Sequence, residues 1–93
     1  MTNREIQGRF EKSTVWECWC NDNDYYTQYR NSDATAVVTF WTTDSKNLYI
    51  ELSIANVFVK STIKASDCRF ANGLLMFDYC ALYLGDDTQE IPF

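Results

Sequence analysis

Residues 48–64 read LYIELSIANVFVKSTIK, and this stretch decides the fold class. In residues 48–54 every second residue is Leu or Ile, which is the period-two pattern of a strand with one buried face. Residues 57–64 alternate again, and Ala55 and Asn56 between them fit a two-residue connection. We therefore expect a β-hairpin whose first strand turns its leucines and isoleucines towards the core.

The same short period continues on both sides of this hairpin. The further expected strands are residues 13–20, 25–30, 35–43, 68–70 and 74–84, separated by turn residues. The last of these runs, LLMFDYCALYL, is apolar on both strand faces except for Asp78, so a buried strand and a short buried helix both fit it. The Asn72-Gly73 pair before the run favours a strand. Asp78 is then expected to be buried and bonded to a donor such as a tyrosine hydroxyl.

The spacing of these strands predicts an all-β fold. A chain of 93 residues is expected to form a single domain, residues 1–93. Short connections between successive strands indicate an antiparallel meander of about six strands, curled or barrel-like. Residues 1–12 are weakly amphipathic and could add a short N-terminal helix interrupted by Gly8, so an α+β fold is the alternative.

Charge excludes several classes of partner. The net charge is −5, whereas proteins that bind nucleic acid or anionic lipid place Lys and Arg on one face. Residues 13–44 hold one basic and five acidic residues, and residues 70–93 hold four acidic residues and no basic one. We expect neither direct nucleic-acid binding nor membrane binding, and we expect the two acidic blocks to attract a basic partner.

No catalytic motif is found in the sequence. It has no histidine, so acid–base chemistry near neutral pH would have to use carboxylates. The closest carboxylate pairs, Asp22 with Asp24 and Asp86 with Asp87, fall in turn or tail sequence. We therefore expect a protein that is not an enzyme and that uses no cofactor.

The four cysteines are Cys18, Cys20, Cys68 and Cys80. A structural zinc site usually has two C-x₂₋₄-C knuckles, and this spacing does not supply them, so no metal is expected. Buried free thiols are favoured, with a disulfide from Cys20 to Cys68 or Cys80 as the alternative. The first residues do not resemble a secretory signal and no apolar run is long enough to span a membrane, which indicates a cytoplasmic protein.

Residues 21–33, NDNDYYTQYRNSD, combine three aspartates and three tyrosines with one basic residue. Tyrosine supplies contact area at low entropic cost, and carboxylates attract a basic surface. The predicted contact residues are Asp22, Asp24, Tyr25, Tyr26, Tyr29 and Asp33, extended by Asp86, Asp87 and Glu90. The alternative is that two of the tyrosines pack in the core. A second hypothesis is a barrel that binds an apolar or sugar ligand between Trp16, Phe40 and Trp41.

No motif assigns the chain to a family. In size, acidity and aromatic content it resembles the small proteins of phages and mobile elements that block host defence enzymes, and also toxin-neutralising immunity proteins. This resemblance implies a non-catalytic inhibitor of the anti-CRISPR or anti-restriction kind, in the host cytoplasm if a phage encodes it. The partner would be a basic nucleic-acid-binding effector or a toxin. An exposed strand edge or the face of Lys60 and Lys64 could also support a homodimer.

Overall fold

A computed structural model describes residues 1–22, 24–78 and 80–85 of the chain. The helix is α1 (Asn3–Lys12), and a 3-10 turn covers Ala65–Asp67. The strands are β1 (Trp16–Asp22), β2 (Tyr26–Asn31), β3 (Ala36–Trp41), β4 (Asn47–Ile54), β5 (Val57–Lys64), β6 (Arg69–Ala71), β7 (Leu74–Phe77) and β8 (Cys80–Tyr83).

These strands form two antiparallel sheets. One sheet has the order β1-β2-β3-β4-β5 and the other the order β6-β7-β8, so each strand pairs with its neighbour in the chain. The predicted antiparallel meander with a short N-terminal helix is therefore confirmed. The described residues contain eight strands instead of about six, in two open sheets rather than a closed barrel.

The hairpin predicted from residues 48–64 is β4 and β5. Ala55 and Asn56 form the loop with positive φ angles of 50° and 66°, which is the backbone twist of a type I′ turn. Leu48 and Ile50 are buried, as the alternation predicts. The register of β4 and β5 is unbroken along the whole hairpin.

Ile54 does not face the core, and the prediction for this residue is wrong. Its side chain is 61% exposed. The ladder of β3 with β4 ends at the pair of Ala36 with Leu52, so the tip of the hairpin extends beyond the body of the sheet.

Residues 74–84 form two short strands, β7 and β8, and not one long strand. The chain reverses between them at Asp78, which has a φ of 22° and is exposed. The expectation of a buried carboxyl group here is wrong, because a charged group costs least in water. One face of this hairpin is buried, because Leu75 and Leu82 lie opposite each other in the core, whereas Leu74 and Met76 on the other face are half-buried.

Helix α1 continues through Gly8, which the sequence suggested would interrupt it. A capping box holds its first turn, because the Thr2 hydroxyl accepts the N–H of Glu5 while the Glu5 carboxylate accepts the N–H of Thr2. Ile6 and Phe10, one turn apart, are fully buried, and this packing offsets the roughly 1 kcal/mol that a helical glycine costs. Within the described part of the chain, no helix is long and apolar enough to cross a membrane.

The core is organised around the ring of Phe10. Its centroid lies 4.9 Å from that of Trp16, 5.6 Å from Tyr29 and 5.7 Å from Phe40, which are distances of favourable aromatic pairs. The indole Nε1 of Trp16 donates to the Tyr83 carbonyl at 2.7 Å. This hydrogen bond ties the first strand of the large sheet to the last strand of the small one.

This packing leaves no shared cavity for Trp16, Phe40 and Trp41. Trp16 and Phe40 are buried against Phe10, while Trp41 is 39% exposed and lies on the other face of the sheet. These three residues therefore do not line the ligand site that the second hypothesis requires.

The cysteines differ in their environments. All four are free thiols: Cys18 is exposed, Cys20 and Cys80 are half-buried, and Cys68 is buried. Burial raises the pKa of the Cys68 thiol. The expectation of buried thiols is met at Cys68 and is wrong at Cys18.

Gly73→Ala should destabilise the protein by roughly 2 kcal/mol or more. Gly73 has a φ of +78°, and an added Cβ would lie 2.2 Å from the carbonyl oxygen of Gly85. Gly8→Ala is the matched control, because no atom lies within 4 Å of its added carbon. In the helix this change should raise the free energy of unfolding by about 0.5–1 kcal/mol. Urea unfolding measures both, and equal effects would contradict the turn geometry.

Candidate protein-binding surface

The turn between β1 and β2 is held by its own hydrogen bonds. The Asp22 carboxylate accepts the N–H of Asp24 at 3.1 Å, and the Asp22 carbonyl accepts the N–H of Tyr25 at 3.0 Å. Thr42, just after β3, clamps the same turn. Its N–H donates to the Tyr25 carbonyl at 2.8 Å, and its hydroxyl, which has one proton to donate, lies 3.0 Å from the Asp24 carbonyl oxygen and 3.1 Å from that of Tyr25. The turn is thus fastened to the body of the sheet.

One row of side chains crosses the sheet beside this turn. Asp22 pairs with Tyr26, and Tyr26 pairs with Trp41. Residues directly opposite each other in a ladder share a face, so the three lie together on the face that points away from α1. The rings of Tyr26 and Trp41 are 5.1 Å apart.

Asp24 and Tyr25 complete this surface at the apex of the turn. Both are exposed, and the ring of Tyr25 is 61% accessible. We call Asp22, Asp24, Tyr25, Tyr26 and Trp41 the acidic-aromatic corner. It presents two carboxylates beside three flat rings, and its backbone is fixed by the hydrogen bonds of Thr42.

Tyr29 does not belong to this surface, although the sequence analysis named it as a contact residue. It is 4% exposed and packs between Phe10 and Phe40. Its hydroxyl accepts from Gln7 Nε2 at 3.4 Å, and burial raises the pKa of Tyr29. Alternation along β2 explains this position, because it turns Tyr29 and Tyr26 to opposite faces.

The remaining predicted acidic residues are not brought to the corner. Asp33 is exposed in the turn between β2 and β3, at the far end of β2 from Asp24. Six strand residues separate the two ends, which is roughly 20 Å. Asp86, Asp87 and Glu90 lie outside the described residues.

Sequence reasoning missed Trp19, which is 52% exposed on the face that carries the corner. The register of β1 with β2 shifts between Cys18 and Cys20, so Trp19 is the extra residue of a β-bulge. The guanidinium of Arg30 lies 3.9 Å over its ring and donates to Glu17 at 2.8 Å. The single basic residue of the stretch 21–33 is thus engaged within the chain.

A second missed feature is the hydrogen-bond network of Asp44, next to Trp41. The Tyr49 hydroxyl donates to its carboxylate at 2.6 Å, the Asn47 side chain donates at 3.0 Å, and the N–H of Lys46 donates at 2.9 Å. These donors hold the pKa of the Asp44 carboxyl well below its usual range. Asp44 therefore fixes the turn after β3 and keeps a negative charge close to the corner.

This arrangement suits binding better than catalysis. Asp22 and Asp24 lie at an exposed turn and not in a cleft that could exclude water. Among the described residues no group of three or more cysteine, aspartate and glutamate side chains is placed to hold a metal ion. Flat rings are enriched at the centres of protein interfaces, and carboxylates attract positively charged surfaces.

Comparison of the chain with protein-family models, with curated proteins and with solved structures finds no match. The assignment of a function therefore depends on the surface just described.

The titration of Asp44 tests the network beside the corner. The pKa of the Asp44 carboxyl should lie below the ordinary aspartate pKa of 3.8. NMR of the carboxyl carbon across a pH titration measures it. Tyr49→Phe removes the shortest donor and should move the midpoint upward, whereas Tyr25→Phe should leave it unchanged. Because the folded pKa is lowered, the carboxylate stabilises the fold above the unfolded pKa and this contribution disappears as pH falls through the folded pKa. The stability difference between wild type and Tyr49→Phe should therefore shrink on acidification.

Proposed function

We propose that the chain is a non-catalytic inhibitor that binds a basic, nucleic-acid-handling protein through the acidic-aromatic corner. A protein of the phage anti-defence kind, acting on a CRISPR or restriction enzyme, fits this description best. The observation that carries the proposal is the row of half-buried Asp22 and Tyr26 beside exposed Trp41, extended by exposed Asp24 and Tyr25 at a clamped turn.

The chemistry of the corner complements that of a nucleic-acid channel. Such channels combine Lys and Arg, which hold phosphates, with aromatic side chains on which bases stack. Asp22 and Asp24 offer negative charge in place of phosphates. Tyr25, Tyr26 and Trp41 offer flat faces in place of bases, and the last two are already 5.1 Å apart. A channel occupied in this way would exclude its natural ligand.

Electrostatics and rigidity favour such binding. The net charge of −5 would steer the chain towards a positive surface and raise the association rate. The backbone N–H and the hydroxyl of Thr42 donate to carbonyl groups of the turn and hold it in place. Less conformational entropy is then lost on binding than for a free loop.

The alternatives have less support. A ligand-binding barrel would need an open interior, and the space between Trp16 and Phe40 is filled by Phe10. An immunity protein that neutralises a basic toxin would use the same surface chemistry, so the identity of the partner separates it from an anti-defence inhibitor.

Reversing the charge of Asp24 should abolish partner capture. Asp24→Lys and Asp33→Lys change the net charge equally, and both residues lie in exposed turns, but only Asp24 is in the corner. Wild type and Asp33→Lys should retain a basic nucleic-acid-handling protein from a lysate of the host cell, whereas Asp24→Lys should bind it at least about tenfold more weakly. Thermal unfolding should be nearly the same for all three.

The captured protein is identified by mass spectrometry, and its nucleic-acid binding is measured with and without the chain. Elution as salt rises, together with competition against nucleic acid, would support the proposal. Equal capture by Asp24→Lys, or a partner that is not basic, would rule it out. A captured toxin that carries no nucleic-acid site would favour the immunity alternative.

The aromatic rings of the corner should mainly set the dissociation rate constant of the partner, and its carboxylates the association rate constant. Tyr25→Ala should speed dissociation of the captured partner by roughly tenfold or more and leave association almost unchanged. Asp24→Asn should slow association, with a weaker dependence on salt than wild type. Surface plasmon resonance measures both constants. Tyr83→Ala, an exposed tyrosine on the small sheet, is the control, and an equal effect there would show that Tyr25 has no special part.

A further inference from the structure

The tip of the β4–β5 hairpin carries four large apolar side chains that are exposed to solvent. Phe58 is 60% exposed, and Ile54, Val57 and Val59 are between 42% and 61% exposed. Ile54, Val57 and Val59 share one face of the hairpin, because Ile54 pairs with Val57 and Leu52 pairs with Val59, whereas Phe58 pairs with Ser53 on the opposite face. Apolar side chains exposed on both faces of the tip mark an interaction surface, since a partner would remove them from water.

Three of these side chains, Val57, Phe58 and Val59, lie on the edge strand β5, and this edge is open and regular. Within the described residues β5 pairs with β4 alone. It runs for eight residues with no proline and no break in register. Proteins usually blunt such an edge with charged side chains, a proline, a bulge or a short strand. Of these features β5 has Lys60 and Lys64, whereas residues 57–59 at its start carry none of them.

The other edges of the described sheets carry these protective features. β1 is interrupted by the bulge at Trp19, and β6 and β8 are only three and four residues long. The contrast makes residues 57–59 of β5 the stretch of edge that is most open to pairing with another strand.

The hydrogen-bonding groups that face outward can be identified from the hairpin. Ile54 and Val57 flank the two-residue loop, and in such a hairpin the flanking residues exchange backbone N–H···O=C hydrogen bonds. Backbone groups of an antiparallel strand alternate in direction. Phe58, Lys60 and Thr62 therefore direct their N–H and C=O groups away from β4, towards any strand that adds to the edge.

We propose that β5 pairs with β5 of a second copy of this chain, antiparallel and with the two Phe58 residues opposite each other. A two-fold axis perpendicular to the sheet keeps both members of each pair on the same face. In this register Val57 lies opposite Val59 of the second copy, and Lys60 lies opposite Asn56. Each of the three exposed apolar residues of β5 then meets an apolar residue.

Neighbouring registers match less well. When the axis passes through Val59, each Phe58 lies opposite a Lys60. When the two-fold axis passes through Lys60, the positively charged Lys60 side chains of the two copies lie opposite each other, which is unfavourable. In the Phe58 register the two Lys60 residues are four positions apart along the strand, roughly 13 Å, and each keeps its own Glu51 at 3.5 Å.

The net negative charge of the chain does not oppose this dimer at the junction. The acidic corner lies on β1, β2 and the end of β3, whereas the paired edge is β5. Four strand spacings, about 19 Å, separate β1 from β5, which is well beyond the screening length of about 8 Å at physiological salt. The pairing, in which residues 57–59 of each β5 strand lie side by side, would join two sheets into one of ten strands and leave a corner exposed near each end.

Sedimentation equilibrium over a range of concentrations tests the dimer. Wild type should show a species of twice 10.9 kDa that dissociates on dilution. Phe58→Glu places two negative charges opposite each other and should weaken dimerisation at least about tenfold. Tyr25→Glu is the matched control, because Tyr25 is equally exposed, at 61% against 60%, and lies far from the edge. It should dimerise like wild type.

Circular dichroism on heating should show that both variants remain folded, since neither side chain is part of the core. A wild type that stays monomeric at the highest attainable concentration would overturn the proposal, as would equal weakening by Tyr25→Glu. The register is tested by NMR on a mixture of labelled and unlabelled protein. Intermolecular contacts between Val57 and Val59 methyl groups support it, and contacts from Phe58 to Lys60 would overturn it.

Discussion

The packing of Phe10 against Trp16, Tyr29 and Phe40 is the interaction on which the rest of the structure depends. Phe10 is 1% exposed, and its ring meets Trp16 and Phe40 edge to face. Such pairs add about 0.5–1.5 kcal/mol each to the effect of burial. The contact fixes which side of the large sheet is covered by the helix. The hydrogen bond from Trp16 to Tyr83 then brings the small sheet to the same core.

Once this side of the sheet is filled, the position of the proposed binding surface follows. Alternation along β2 turns Tyr29 into the core and Tyr26 to the opposite face, where it meets Trp41 and Asp22. The turn at Tyr25 is at the rim and is held there by hydrogen bonds to the end of β3. The corner therefore combines exposure with rigidity, which a loop attached at its two ends alone would lack.

What the sequence predicted correctly is local, and what it missed depends on distant contacts. The alternation in residues 48–64 is a property of residues adjacent in the sequence, so the hairpin could be predicted from the sequence alone. The choice of Tyr29 for the core depends on Phe10, which is far away in the chain. The bulge at Trp19 arises from the pairing of β1 with β2, and period-two counting cannot place an extra residue. The reversal at Asp78 was hidden because two short apolar strands look like one long strand.

The two edges of the large sheet differ in a way that relates binding to assembly. The bulge in β1 projects Trp19 and blocks strand addition beside the corner, while β5 remains regular and apolar at its tip. Pairing through β5 would leave the corner of each copy accessible. Two linked binding surfaces engage a partner with two matching sites more tightly than either alone, because the second contact is formed at a high effective concentration. If the proposed target carries two matching sites, dimerisation through β5 would strengthen the proposed inhibition without adding any contact at the corner.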